Sequence, residues 1–192
     1  TYNKKVTEEE CLSMSSNGTF VIDCTWNKIF NKKELFYEPT IMFKYRNKQK
    51  VNFGLTIMDG ALCSVFPFDS KMSTLSDVEH TPLGKYHETE GAYNRIKMIK
   101  QSEVLDKLNL MNKKITSYFP SFNDYFSDPL PFFSIKTKPL NNKTDDRFTV
   151  LAKESQNVYS VFAGKIDTIF DMEFKILSFL QEDNELGLNS FN

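Results

Sequence analysis

The stretch Thr40-Ile41-Met42-Phe43-Lys44-Tyr45-Arg46-Asn47-Lys48-Gln49-Lys50-Val51-Asn52-Phe53-Gly54-Leu55-Thr56-Ile57-Met58 decides the fold class. Ile41, Phe43 and Tyr45 alternate with Met42, Lys44 and Arg46; a polar tip follows, and Val51 to Ile57 alternates again. Successive strand side chains point to opposite faces, so a period of two marks a half-buried strand. Two such runs about a short polar tip predict a β-hairpin.

Strand signals continue on both sides. Phe20, Ile22, Cys24 and Trp26 alternate with Val21, Asp23 and Thr25, which predicts a strand with a fully apolar face. Before it, Thr7-Glu8-Glu9-Glu10 has the form of a capping box and predicts a short helix over 8–14, closed by Asn17-Gly18. After the hairpin, Asp59-Gly60 is a turn signal and 61–66 a third strand ended by Pro67. Residues 70–91 turn polar, with Thr81-Pro82 and Gly84 as breakers, and read as a long loop.

Val104, Leu108, Met111, Ile115 and Tyr118 step by four and three residues, placing a helical insertion at about 92–119 that Phe119-Pro120 stops. Strands resume after Pro131 with Phe133, Ile135 and Thr137 on one side. A polar turn over 141–146, a returning strand over 148–152 and an apolar run over 158–163 follow. Met172, Phe174 and Ile176 alternate with Glu173 and Lys175, so 172–180 is read as a closing strand, although Ile166, Ile169, Phe170, Leu177 and Leu180 also fit a helix face. The expectation is an α+β, mostly β fold: a small antiparallel, OB-like barrel or a sandwich. It forms a single domain over 1–180 with a short acidic tail at 181–192 carrying Glu182, Asp183 and Glu185.

The 192 residues suffice for one domain with a real core, and 18 Phe with 8 Tyr make it rich in rings. Net charge is −1, which excludes a global basic field. No apolar run is long enough to span a bilayer. The chain opens at Thr1 rather than Met, which reads as a processed or a recombinant product and leaves room for a removed leader. Cys11, Cys24 and Cys63 are odd in number and lack C-x-x-C spacing, which predicts reduced, buried thiols in a soluble intracellular protein, a viral protein in its host cell included.

An enzyme is not expected. His80 and His87 are the only histidines; with Asp77, Glu79, Glu88 and Glu90 nearby they read as a solvated polar loop rather than a metal site. H-E-x-x-H, G-x-S-x-G and phosphate-cradling glycine loops are all missing from the sequence, and no cofactor is expected. Binding has more behind it. Between Thr40 and Met58 there is no acid, while Lys44, Arg46, Lys48 and Lys50 recur at every second residue beside Phe43, Tyr45 and Phe53. Lys136 and Lys138, with Lys143 and Arg147, form a second basic cluster next to Phe132, Phe133 and Phe148. Cations that track phosphates beside rings on which bases stack, each stacked base worth about 1–3 kcal/mol, are the working parts of single-strand nucleic-acid binding.

In layout the chain resembles the OB-fold single-stranded DNA-binding proteins of phages and large DNA viruses. The likeness lies in an early hairpin, a helical block before Pro129-Leu130-Pro131-Phe132-Phe133, paired strands, and a closing strand before an acidic tail with Phe191. It implies a barrel and single-strand binding. The rival expectation is a viral capsid, matrix or scaffold subunit without nucleic acid. It has Phe119, Phe122, Tyr125 and Phe126, within the aromatic 118–126 segment, forming an exposed patch for a protein partner; the acidic tail is the other candidate docking segment.

Overall fold

The structure is a computed structural model that describes residues 3–16, 19–25, 28–30, 34–58, 60–140, 149–162 and 169–189, with side chains at 169 and 182–189 outside the description. The chain divides into two compact units, Thr1–Leu35 with Lys138–Asn192 (unit 1) and Phe36–Thr137 (unit 2), where the sequence reading has one domain.

Unit 2 carries a five-stranded sheet. Its strands are β2 (Leu35–Asn47), β3 (Leu55–Ile57), β4 (Cys63–Pro67), β5 (Met72–Asp77) and β6 (Phe126–Pro139), in the order β3-β4-β5-β2-β6. The hairpin expected between Ile41–Arg46 and Val51–Ile57 does not form. β2 pairs antiparallel with β5, Phe43 opposite Leu75 and Arg46 opposite Met72, while β3 pairs with β4. The cause lies at the tip. The Asn47 amide donates to the Lys71 carbonyl (2.7 Å) and the Lys48 amide to the Tyr125 carbonyl (2.8 Å), so the chain is bound to other segments where a tight turn would begin.

β5 lies where a long loop was expected. Its inward residues are Ser73, Leu75 and Asp77, and the polar two are buried because each is hydrogen-bonded: Ser73 to Asn47, and Asp77 to His80. β6 is an edge strand, which tolerates Pro129 and Pro131 because a missing N–H at an edge breaks no ladder bond.

The helical insertion appears as α2 (Thr89–Lys97) and α3 (Gln101–Tyr118), followed by the single turn α4 (Phe122–Tyr125). Val104, Met111 and Ile115 of α3 pack into a core with Ile41, Phe43, Tyr45, Cys63, Val65, Leu75, Phe122 and Phe126.

Unit 1 contains α1 (Glu8–Ser15), β1 (Val21–Asp23), β7 (Val150–Ser155), β8 (Val158–Phe162) and α5 (Ile169–Asn189). Both hydrogen bonds of the α1 capping box are present. The strand order is β1-β8-β7; β7 and β8 are antiparallel, but β1 runs parallel to β8 with Asp23 opposite Ser160. Cys11, Phe30 and Val158 form its buried cluster, and Tyr159 stacks on Phe179 of α5 at 5.5 Å.

Two expectations are corrected here. Residues 172–180, read as a strand, belong to α5, because Met172, Ile176 and Phe179 share a helical face and Met172 is buried. β1 shows the reverse of its expected facing: Phe20, Ile22 and Cys24 are exposed and Asp23 is buried. The helix α5 also runs into the segment read as a tail, whose acidic side chains lie outside the described residues. So do the Asn17-Gly18 and 141–146 turns, Trp26, Asp59, Phe191 and the basic residues Lys143 and Arg147. The fold is α+β and mostly strand, with two sheets, and neither closes into a barrel among the described residues. No described helix is long and apolar enough to cross a membrane.

Candidate functional site

The alternation of β2 sorts the expected binding residues onto two faces. Phe43 and Tyr45 point into the core of unit 2, 1% and 3% exposed, so no base can stack on either ring. Tyr45 instead sits edge-on to Phe122 and donates its hydroxyl to Asn112. Burial raises its phenol pKa, partly opposed by that hydrogen bond. Phe53 is half-buried and meets Phe119 and Tyr125 edge-on, at 6.4 and 5.8 Å between ring centres. Phe122 and Phe126 are buried and Phe119 and Tyr125 pack against them, so the aromatic patch expected over 118–126 is core; Tyr118 alone of these rings is exposed.

The outer face of β2 carries Lys44 and Arg46. Lys44 Nζ lies 3.7 Å from the centre of the Phe68 ring and 4.1 Å from that of Phe132, a cation held between two rings. Phe66 of β4 opposes Thr74 of β5, and Thr74 opposes Lys44, which sets Phe66, Thr74 and Lys44 in one row across three strands. Phe66 and Phe68 are each 50% exposed.

Beside this row opens a cleft of about 690 Å³ lined by Arg46, Lys48, Lys50, Lys71 and Asp69 among others. Four cations thus face one carboxylate, a local excess that the net charge of −1 conceals. The Asp69 carboxylate is engaged in its own turn, accepting from the amides of Lys71 (2.7 Å) and Met72 (2.8 Å). Arg46 lies 3.6 Å from Asp128 with both side chains largely exposed, a screened contact worth little. The Lys48 ammonium donates to the Asn123 carbonyl at 2.6 Å.

Lys136 and Lys138 are half-buried on β6 with interactions of their own, and Lys138 belongs to unit 1. Sequence reasoning missed Phe66, Phe68 and Lys71. Alternation of inward Cys63 and Val65 with outward Ser64 and Phe66 was the available signal for the first. Phe68 and Lys71 flank a turn whose position depends on the β4–β5 pairing.

A second polar cluster lies where β5 ends. Asp77, its side chain fully buried, accepts from the His80 amide (2.5 Å) and is hydrogen-bonded to His80 Nδ1 (2.8 Å), and Lys114 of α3 stands 3.9 Å away. The polar loop expected around His80 is therefore an ordered turn tied to α3. No group of three or more His, Cys, Asp or Glu able to hold a metal ion occurs among the described residues. Cys63, opposite Asp77, has its thiol pushed up to about 11, by burial first and then by the Asp77 charge.

In unit 1 the site-like feature is Asp23, the last residue of β1. It is 4% exposed; one carboxylate oxygen accepts the Thr25 amide at 2.8 Å and the other, Oδ2, has no hydrogen-bond partner among the described residues. Burial, and after it the Asp23 charge, raises the thiol pKa of both Cys11 and Cys24. Both shifts oppose thiolate formation, the reverse of what a nucleophilic cysteine needs.

No known family profile matches the chain. The chain is similar to the FAD-dependent monooxygenase FPY4 of Fusarium mangiferae, with 33% identity over 167 residues, which is 86% of this chain and 44% of that protein. It thus spans less than half the length of a relative whose name is that of an enzyme, where the sequence reading expects a non-enzymatic binder.

Proposed function

We propose that this chain works as part of a flavin-dependent oxygenating enzyme, in which unit 1 belongs to the layer that holds the dinucleotide. The likeness to the monooxygenase, extending over 86% of the chain, carries the reading.

The architecture of unit 1 supports it. Parallel strands are characteristic of α/β layers covered on both sides, and ligands of such layers bind outside the carboxyl ends of the strands. β1 and β8 are a parallel pair, and Asp23 stands at the carboxyl end of β1. An acidic side chain in that position suits the ribose hydroxyls of a dinucleotide, and Asp23 Oδ2 is a buried acceptor without a partner among the described residues. Phe20 just before β1 and outward Ile22 on it, with Phe170, Phe174 and Leu177 on α5, are exposed apolar groups of the kind that strands and helices inside a larger layer carry.

When bound, the flavin supplies the redox and oxygen chemistry. The role of this chain is to bind and orient it: Asp23 would hold a sugar hydroxyl. The test uses the protein at its full natural length. It is purified, and the flavin released on denaturation is measured by fluorescence, with and without prior incubation with FAD. Bound flavin, reduced in Asp23→Ala and partly retained in Asp23→Asn, is expected. A protein that neither carries nor takes up FAD overturns the reading.

A further inference from the structure

We propose that the outer face of the unit 2 sheet is a nucleotide-binding site: phosphate groups lie in the cleft of Arg46, Lys48, Lys50 and Lys71, and a base stacks on the exposed rings of Phe66 and Phe68 beside Lys44.

Lysines on a sheet commonly protect an exposed edge from pairing. That explanation does not apply to β2, which lies between β5 and β6 in the interior of the sheet. Its outward cations occupy a face whose edges are already taken. Successive outward residues on a strand are about 6–7 Å apart, so Lys44 and Arg46 form a continuous track that Lys48, Lys50 and, from the neighbouring turn, Lys71 extend.

Among the described residues the one carboxylate lining the cleft, that of Asp69, is turned to its own backbone. Arg46 has only a solvent-screened contact with Asp128 and Lys48 gives one of its three donors to the Asn123 carbonyl, so the four cations keep positive charge for an anion, whereas a simple anion has no use for the rings. Phe68 and Phe132 keep Lys44 upright between them, and Phe68 and Phe66 are half open to solvent on the same face. Gly54 completes the platform: a Cβ there would stand 2.6 Å from the Phe66 ring, so the bare backbone lets that ring lie down. Flat rings next to a basic track suit the combination of base and phosphate that nucleotides provide. The cleft volume of about 690 Å³ also falls within the range of small-ligand sites.

That chemistry comes from two sources, a single strand of nucleic acid or a free nucleotide, and the experiment has an arm for each. The full-length protein, saturated with FAD so that a dinucleotide site in unit 1 is filled, is titrated into fluorescent oligo-dT at several salt concentrations, and separately with ADP by calorimetry. The variants are Lys48→Glu with Lys71→Glu, and Phe68→Ala, each with circular dichroism as a check of folding and flavin content as an independent readout.

If a strand is the ligand, oligo-dT binds and loses roughly fifty-fold in affinity between about 50 and 200 mM salt, as four phosphate contacts require. If a free nucleotide is the ligand, ADP binds and oligo-dT does not. In either case the double charge reversal removes binding, Phe68→Ala weakens it several-fold, and flavin content is unchanged. Absence of binding to both ligands at low salt overturns the proposal, as does binding that the folded double variant retains. Neither result bears on the flavin reading, which depends on Asp23 and unit 1.

Discussion

Lys44 Nζ stands 3.7 Å above the Phe68 ring, while Phe43, its neighbour in the chain, is sealed in the core on the opposite face of the same strand. One alternating stretch therefore serves two purposes, and the division between them generates the clearest expectations.

Phe43→Ala should cost about 3–5 kcal/mol of stability, the range for emptying a buried aromatic site. Phe68→Ala should cost about 1 kcal/mol or less, since it loses a half-exposed ring and one cation contact. Urea unfolding of the two variants side by side checks the contrast. Equal losses would contradict the burial of Phe43 and the exposure of Phe68.

Gly54→Ala places a Cβ 2.6 Å from Phe66 Cε1. The ring is half-exposed and can swing outward, so the cost should be near the lower end of overpacking, about 1 kcal/mol. In a Phe66→Ala background the same substitution should cost almost nothing, and a double-mutant cycle measures the difference.

Asp77→Ala removes a fully buried carboxylate that holds the His80 turn and faces Lys114. Breaking such a cluster from one side should destabilise by about 3 kcal/mol, because the remaining polar groups lose their partner. Asp77→Asn, which keeps an acceptor, should cost less. Thermal unfolding ranks the two.

The Cys63 thiol is raised from 9.0 to about 11. Below pH 9 both folded and unfolded chains keep the proton. Between pH 9 and 11 only the unfolded chain loses it, so stability falls as pH rises through that window. Urea midpoints of the protein and of Cys63→Ala across this range should converge as the pH increases. Of the three cysteines, exposed Cys24 should be the one that reacts with a thiol reagent in the native state, with Cys11 and Cys63 reacting on denaturation.

The residues by themselves settled the local elements. The Thr7 capping box, the α3 stripe of Val104, Met111 and Ile115, and the strands around Ile41–Arg46 and 158–162 follow from spacing and side-chain chemistry alone. Strand partners were not legible, since alternation identifies a strand without naming its neighbour; hence the expected hairpin gave way to β2 between β5 and β6. Buried polar strands were not legible either: Ser73 and Asp77 look solvated until Asn47 and His80 are seen to satisfy them.

The inverted facing of β1 was decided by what covers it, Val21 packing against the cluster of Cys11, Phe30 and Val158, and appears in no periodicity, because an apolar stripe shows that a face is suited to burial without showing what covers it. The same holds for the outer platform. Lys44 and Arg46 could be read from the chain, but which rings stand beside them depended on how β4, β5 and β6 are arranged around β2, and long-range pairing of that kind is fixed by tertiary packing rather than by local sequence.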